Sequence, residues 1–442
     1  MLHPLVAIWL LIAIVLILTR PRAQVLTVFL VSCFCIPIGQ VIVLGSLHFT
    51  VLRILILAGL VRRAFRQTGS KFPGGFNAVD QVVVLWTISA LVILSLQWMD
   101  TQALIHNLGD FLDAIGGYFV VRFLIPSGEA IKHAVKVLAI VCAIQGSCML
   151  NEQITHVNVF GYLGGGTWVT IRDGKLRSQG VMGCLYAGVF GGALIPWLLW
   201  LWTTGKSRMI ACAGIAGAAT MAIASNSSTS LLALAGSAVG LGFWPLRKQM
   251  RLVRWGLVLV LVSLHLVMKA PVWALIARID LTGSSSGDHR YKLVDATIRH
   301  FSDWWLLGYK YYDRWGWDMW DLCNQFVVCA LTGGILTLVL YILIFKRSFG
   351  AIGTARKRVR GDRRQEWLLW CMGSSLFANV VAHFGINYMA QMMMTLFPLL
   401  ACISAAAFEA RQARIQSVEA GEDQLVCAPE AGQLCLPLAE SK

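Results

Sequence analysis

The chain has 442 residues, 57% of them hydrophobic and 13% charged, with a mean hydropathy of +0.68 and a formal net charge of +15. That apolar content exceeds what a soluble domain carries, and runs such as Leu5 to Thr19 approach bilayer length, so composition predicts an all-α polytopic membrane protein. The positive charge does not point to nucleic acid, because Lys and Arg collect in the cytoplasmic loops of such proteins and fix their topology.

In chain order, apolar segments fall at about 4–19, 24–44, 48–61, 82–99, 103–125, 131–150, 181–204, 209–226, 231–245, 253–272, 326–345, 367–386 and 388–410. They predict a transmembrane domain over 1–410 built of about 12 to 13 helices, some short or glycine-broken. The first run is followed by Arg20 and Arg22 and by no small-residue cleavage site, which reads as a retained span rather than a secretory signal. Basic residues recur in alternate connections: Arg20 and Arg22, Arg62 to Lys71, Lys206 and Arg208, Arg247 to Arg254, and the run "ARKRVRGDRR". These connections are expected on the cytoplasmic side, which sends the two longest loops, 151–180 and 273–325, to the periplasm or cell exterior. The tail over 411–442 has five acidic residues after Arg414 and no apolar run, and is expected to be disordered and cytoplasmic. Most of the twelve cysteines lie inside apolar runs without metal-ligand spacing, as small buried residues do.

The outer loops hold the chemistry. The stretch "SSSGDHRYKLVDATIRHFSDWW" concentrates Asp288, His289, Arg290, Lys292, Asp295, Arg299, His300 and Asp303 in a chain otherwise poor in charge. Lys and Arg on the translocated side run against the topological bias, so Arg172, Lys175, Arg177, Arg290, Lys292 and Arg299 call for another reason. One is a diphosphate, whose oxygens the planar guanidinium grips through paired charged hydrogen bonds; the other is pairing with neighbouring carboxylates or lipid headgroups. The run "WWLLGYKYYDRWGWDMW" supplies aromatic rings for an interfacial belt or for stacking on sugars. HExxH and DxD-like patterns are missing from these loops, so neither a metal nor a cofactor is expected.

Four segments carry a resemblance. "RDGKLRSQGVMGCLYAGVFGG", "SNSSTSLLALAGSAVGL", "HRYKLVDATIRHFSDWWLLGYK" and "DLCNQFVVCALTGGILTLVLYILIF" are similar in pattern and order to segments of the O-antigen ligase and polymerase superfamily of bacterial envelope glycan assembly. The early "LHFTVLRILILAGLVRR" fits the amino-terminal helices of that family. The resemblance implies a metal-independent, inverting glycosyl transfer on the periplasmic face of the bacterial inner membrane. The donor would be a glycan on undecaprenyl diphosphate, the acceptor a glycan or lipid, with membrane lipids around the bundle. It further implies diphosphate binding by Arg172, Arg177 and Arg290, and a catalytic set of Arg290, His300, Cys323 and Asn324, with His289 and Asp288 as alternative bases. The chain departs from the family where Cys323 stands before Asn324 in place of a catalytic-site histidine; a thiol is a poor substitute for imidazole as a base. Spacing favours His300 as its replacement, since it follows Arg290 by about three helical turns.

Two other readings remain open from the residues. A transporter or flippase would use the intramembrane charges Arg53, Asp110, Asp113 and Arg122, although Asp113 paired with Arg122 or Arg53 is an ordinary helix clamp. A carrier should also show repeated halves, and none is visible. A catalytically silent scaffold of polysaccharide assembly is the third, kept open by Cys323.

Overall fold

The computed structural model describes residues 2–45, 47–65, 72, 74–166, 170–172, 174–278 and 286–426. The chain is mostly helical. It begins α1 (Pro4–Thr19), α2 (Arg22–Cys35), a hairpin of β1 (Val41–Leu44) and β2 (Leu47–Thr50), then α3 (Val51–Phe65) and α4 (Ala78–Trp98). Next come α5 (Thr101–Phe111), α6 (Gly117–Leu124), α7 (Gly128–Thr155), a second hairpin of β3 (Thr170–Arg172) and β4 (Lys175–Arg177), and α8 (Cys184–Thr203). The remainder is α9 (Arg208–Ala224), α10 (Ser228–Gly242), α11 (Met250–Val267), α12 (Ser286–Arg299), α13 (Phe301–Trp304), α14 (Gln325–Arg358), α15 (Arg363–His383) and α16 (Phe397–Val426).

Among the described residues, six helical segments are long and apolar enough to cross a membrane: Ala78–Trp98, Gly128–Thr155, Cys184–Thr203, Met250–Val267, Gln325–Arg358 and Gln391–Gln416. Four shorter apolar helices, α1, α2, α9 and α10, account for further expected segments. The expected segment 103–125 is α5 and α6 joined through a π-helical turn, Leu112–Gly116. Helix α16 runs to Val426, so the chain stays helical past 410, where a disordered tail was expected; residues 427–442 lie outside the described ones.

Small residues and repaired breaks let these helices pack. A Cβ on Gly146 of α7 would fall 2.5 Å from the Gly217 Cα of α9, so the two backbones touch where side chains would hold them apart. Pro196 inside α8 cannot donate to the Gly192 carbonyl one turn earlier. That carbonyl instead accepts from Ser237 Oγ of α10 at 2.7 Å. In α14, Gly334 takes φ 62° and interrupts the helix. The loop before α14 plugs into the interruption: Ile335 donates to Trp305 O and Tyr309 donates to Leu331 O, both at 2.8 Å. The large loop is thereby fixed to a candidate span.

Charges inside the bundle are paired. Arg53 grips Asp113 through Nε at 3.1 Å and Nη2 at 2.7 Å, the arrangement expected of an ordinary helix clamp. Arg122 takes a different partner, Asp80, with Nε 3.4 Å from Oδ1, and Tyr118 donates to the same oxygen at 2.6 Å. Asp80 and Arg122 are both fully buried. Asp80 also closes the capping box with Asn77 that starts α4, so one carboxylate serves a helix end and an interhelical contact. Replacing Asp80 with Ala removes the carboxylate from a buried arginine and is expected to cost ~3–5 kcal/mol. Asp110→Ala, at a half-exposed carboxylate 3.7 Å from Arg53, should cost under about 1 kcal/mol. Thermal unfolding in detergent checks this order; equal midpoints for the two variants would contradict it.

Candidate functional site

The segments singled out by sequence meet around one guanidinium. Helix α12 buries a stripe of Gly287, Arg290, Leu293 and Thr297, spaced three to four residues apart as a helical face requires. Its other charges pair along the helix: Lys292 with Asp288 at 2.6 Å and Arg299 with Asp295 at 2.7 Å. The charge density of this stretch therefore divides into surface pairs and one arginine turned inward. Arg290 is only 7% exposed.

Its surroundings come from three other parts of the chain. Arg290 Nη2 donates to Thr229 Oγ1 at the start of α10, 2.8 Å away. The Cys323 thiol in the loop before α14 and Asp321 both lie close enough to favour the charged form of the guanidinium. Arg172, on the β3–β4 hairpin, lies close enough to disfavour the charged form of Arg290. The Arg290 Nε is buried and has no hydrogen-bond partner among the described residues. Burial is the first cause pulling the Arg290 pKa below its ordinary value, with Arg172 opposing the charge further and Cys323 and Asp321 favouring it. Burial pushes the Cys323 thiol up to about 11, against the pull of Arg290.

Each member is held by its own element. The hairpin is tied to α7 by Glu152, whose carboxylate accepts from the backbone of Gln179 at 2.9 Å and of Gly180 at 3.1 Å, and by Gln153 Nε2, which donates to Ser178 Oγ at 2.9 Å. Arg177 donates through Nε to Ser225 O at 3.4 Å, bracing the hairpin against the α9–α10 turn. Thr229 donates onward to Gly385 O at 3.1 Å. Asn324 is the N-cap of α14, accepting from Phe326 at 2.9 Å and Val327 at 3.3 Å, and is 1% exposed. Its side-chain oxygen is thus committed to the helix end, which gives Asn324 a positioning part. Tyr186 of α8 donates to Asn387 Oδ1 at 3.1 Å and lies in electrostatic range of Asp321.

The histidines separate. His289 sits half-buried at this cluster, its Nε2 2.9 Å from Asp321 O, and one donor atom each of His289, Asp321 and Cys323 lies within 4.8 Å of the others. His300 does not join them. Ten residues of helix put it about 15 Å along the axis from Arg290, and α12 ends just before it. There its ring stacks on Trp315 at 4.8 Å and its Nδ1 pairs with Asp303 at 3.2 Å. The expectation that His300 shares a cavity with Arg290 therefore gives way to His289, and Asp288, exposed and paired with Lys292, stands on the solvent side. Trp315 is sandwiched between His300 and Tyr309, Trp304 is buried, and Trp317 and Trp320 are exposed.

Sequence reasoning left out Asp321, Thr229 and Tyr186. Asp321 was readable as the carboxylate two residues before Cys323, and Thr229 as the hydroxyl at a helix start; nothing in the local sequence marks Tyr186. The charges a carrier would use, Arg53 and Asp113, are engaged with each other. No protein-family model, curated protein or solved structure matches this chain.

Because only the thiolate is alkylated, the reaction of Cys323 with iodoacetamide in chelator-containing buffer should speed up about tenfold per pH unit between about pH 7 and 10. Arg290→Ala withdraws the cation that favours the thiolate, so the Cys323 pKa should rise further and the reaction slow. Mass spectrometry of the labelled peptide reads both rates; a plateau already reached at about pH 8 would contradict the assignment.

Proposed function

We propose that the chain is a membrane glycosyltransferase of the O-antigen ligase and polymerase type. It transfers a glycan from undecaprenyl diphosphate to a glycan or lipid acceptor at the periplasmic face of the bacterial inner membrane. The observation that carries the reading is the convergence of Arg172, Thr229, Arg290 and the Asp321–Asn324 segment from four distant parts of the sequence, with the Arg290 Nε left without a partner among the described residues. In this reading the bundle crosses the membrane 12 or 13 times, and the loops 151–180 and 273–325 are external.

A diphosphate leaving group gains negative charge as the glycosidic bond breaks, and preorganised cations in a poorly hydrated site stabilise that charge most. Arg290 and Arg172 supply them. Arg290 presents a fork already oriented by Thr229, so little rearrangement is needed when phosphate oxygens arrive. Arg177 braces the hairpin that carries Arg172, and Asn324 fixes the start of α14 behind Cys323. His289, with its ring oriented by the Asp321 carbonyl, takes the proton from the acceptor hydroxyl as it attacks the anomeric carbon from the face opposite the leaving diphosphate. That in-line displacement inverts the anomeric centre. The polyprenyl chain lies among the apolar helices beneath.

Transfer from a lipid-linked donor by purified protein in nanodiscs tests this. Arg290→Lys keeps the charge and loses the fork, and should lower the rate by about two to three decades. His289→Ala should cost about two to four decades, while His300→Ala stays within a few-fold of wild type. Full activity in Arg290→Lys and His289→Ala, or its loss in His300→Ala alone, would overturn the assignment.

A further inference from the structure

Where the family pattern has a histidine this chain has Cys323, and the cysteine does not stand alone. One donor atom each from His289, Asp321 and Cys323 lies within 4.8 Å of the other two. We propose that these three side chains form a binding site for a borderline-soft divalent ion of the Zn²⁺ class.

The donor set selects the metal. Thiolate and imidazole favour zinc and its neighbours, whereas Mg²⁺ and Ca²⁺ take all-oxygen sites. Metal–ligand bonds of about 2.0–2.3 Å separate tetrahedral ligand atoms by roughly 3–4 Å, so side-chain rotation of about 1 Å closes the present arrangement. Charge balances as well: a thiolate and a carboxylate offset a divalent ion, the imidazole stays neutral, and Arg290 remains the cation of the neighbouring subsite. The Cys323 proton leaves to solvent as the metal–sulfur bond forms. The contact between His289 Nε2 and the Asp321 carbonyl, 2.9 Å, orients the ring in the way outer-shell carbonyls orient ligating histidines. Three protein ligands leave a fourth position for water or an anionic oxygen.

The binding claim rests on this geometry alone. Its consequence for activity rests on the proposed transfer: a metal held by His289 takes the base out of action, so Zn²⁺ should inhibit. The binding test needs no glycan donor, so failure of the site and failure of the transfer reading are distinguishable.

The test is a titration of the purified, chelator-stripped full chain in detergent with Co²⁺, followed by competition with Zn²⁺. Wild type should take up one equivalent with a thiolate-to-cobalt charge-transfer band that Zn²⁺ abolishes. Cys323→Ala should lose the band, and His289→Ala should weaken binding by about tenfold or more. Cys323→His should still bind one equivalent without the band, which separates ligand loss from misfolding. A band that survives Cys323→Ala would place the metal at another cysteine and overturn the proposal. So would unchanged affinity in His289→Ala, or no uptake by the wild type.

Discussion

A guanidinium in a poorly hydrated place has to be matched by acceptors or it destabilises the fold. Arg290 is the case on which this end of the bundle depends. It is nine-tenths buried, it meets Thr229 and Cys323, and Arg172 stands nearby with the same charge. Arg172 disfavours the charge of Arg290 and Asp321 favours it. In the proposed transfer, an anionic ligand accepts from the Arg290 Nε. Much of the surrounding structure serves to hold the guanidinium in place: the Glu152 clamp on the hairpin, the Asn324 cap and the loop plugged into the break at Gly334.

The deeper charges follow the same constraint and reach a different end. Arg53 with Asp113, and Arg122 with Asp80 and Tyr118, are ion pairs that tie helices to one another. Arg290 differs from them in meeting a hydroxyl, Thr229, beside a like charge, Arg172, and the proposed function gives that place to a ligand. The remaining charges of α12 are surface i,i+4 pairs of Lys292 with Asp288 and Arg299 with Asp295, worth little to stability.

The apolar runs made the order of helices legible, because burial in lipid or in a packed bundle leaves the same mark on composition. Helix ends were less so. The capping box from Asn77 to Asp80 places the start of α4 before the apolar run begins at 82, and Asp80 was missed for that reason. The pairing of Asp113 with Arg53 was readable from two lone charges in oil; the pairing of Arg122 was not, since its partner sits outside the expected span. In the site, Arg172, Arg177, Arg290, His289 and Cys323 were readable as polar residues in the two longest loops expected outside the membrane. Their distances depend on tertiary contacts among α7, α10, α12 and α14, which no local pattern encodes. His300 shows the limit: spacing put it on the Arg290 face, but the helix ends before it and Trp315 captures the ring.

The lipid carrier is the decisive molecule of the proposed transfer. Deleting the gene and profiling undecaprenyl-linked species by mass spectrometry tests this most directly. If the chain consumes a glycan on undecaprenyl diphosphate, the glycan-bearing lipid should accumulate in the deletion strain and return to its ordinary level when wild type is restored, but not when Arg290→Lys is. An unchanged lipid-linked pool in the deletion strain would contradict the account.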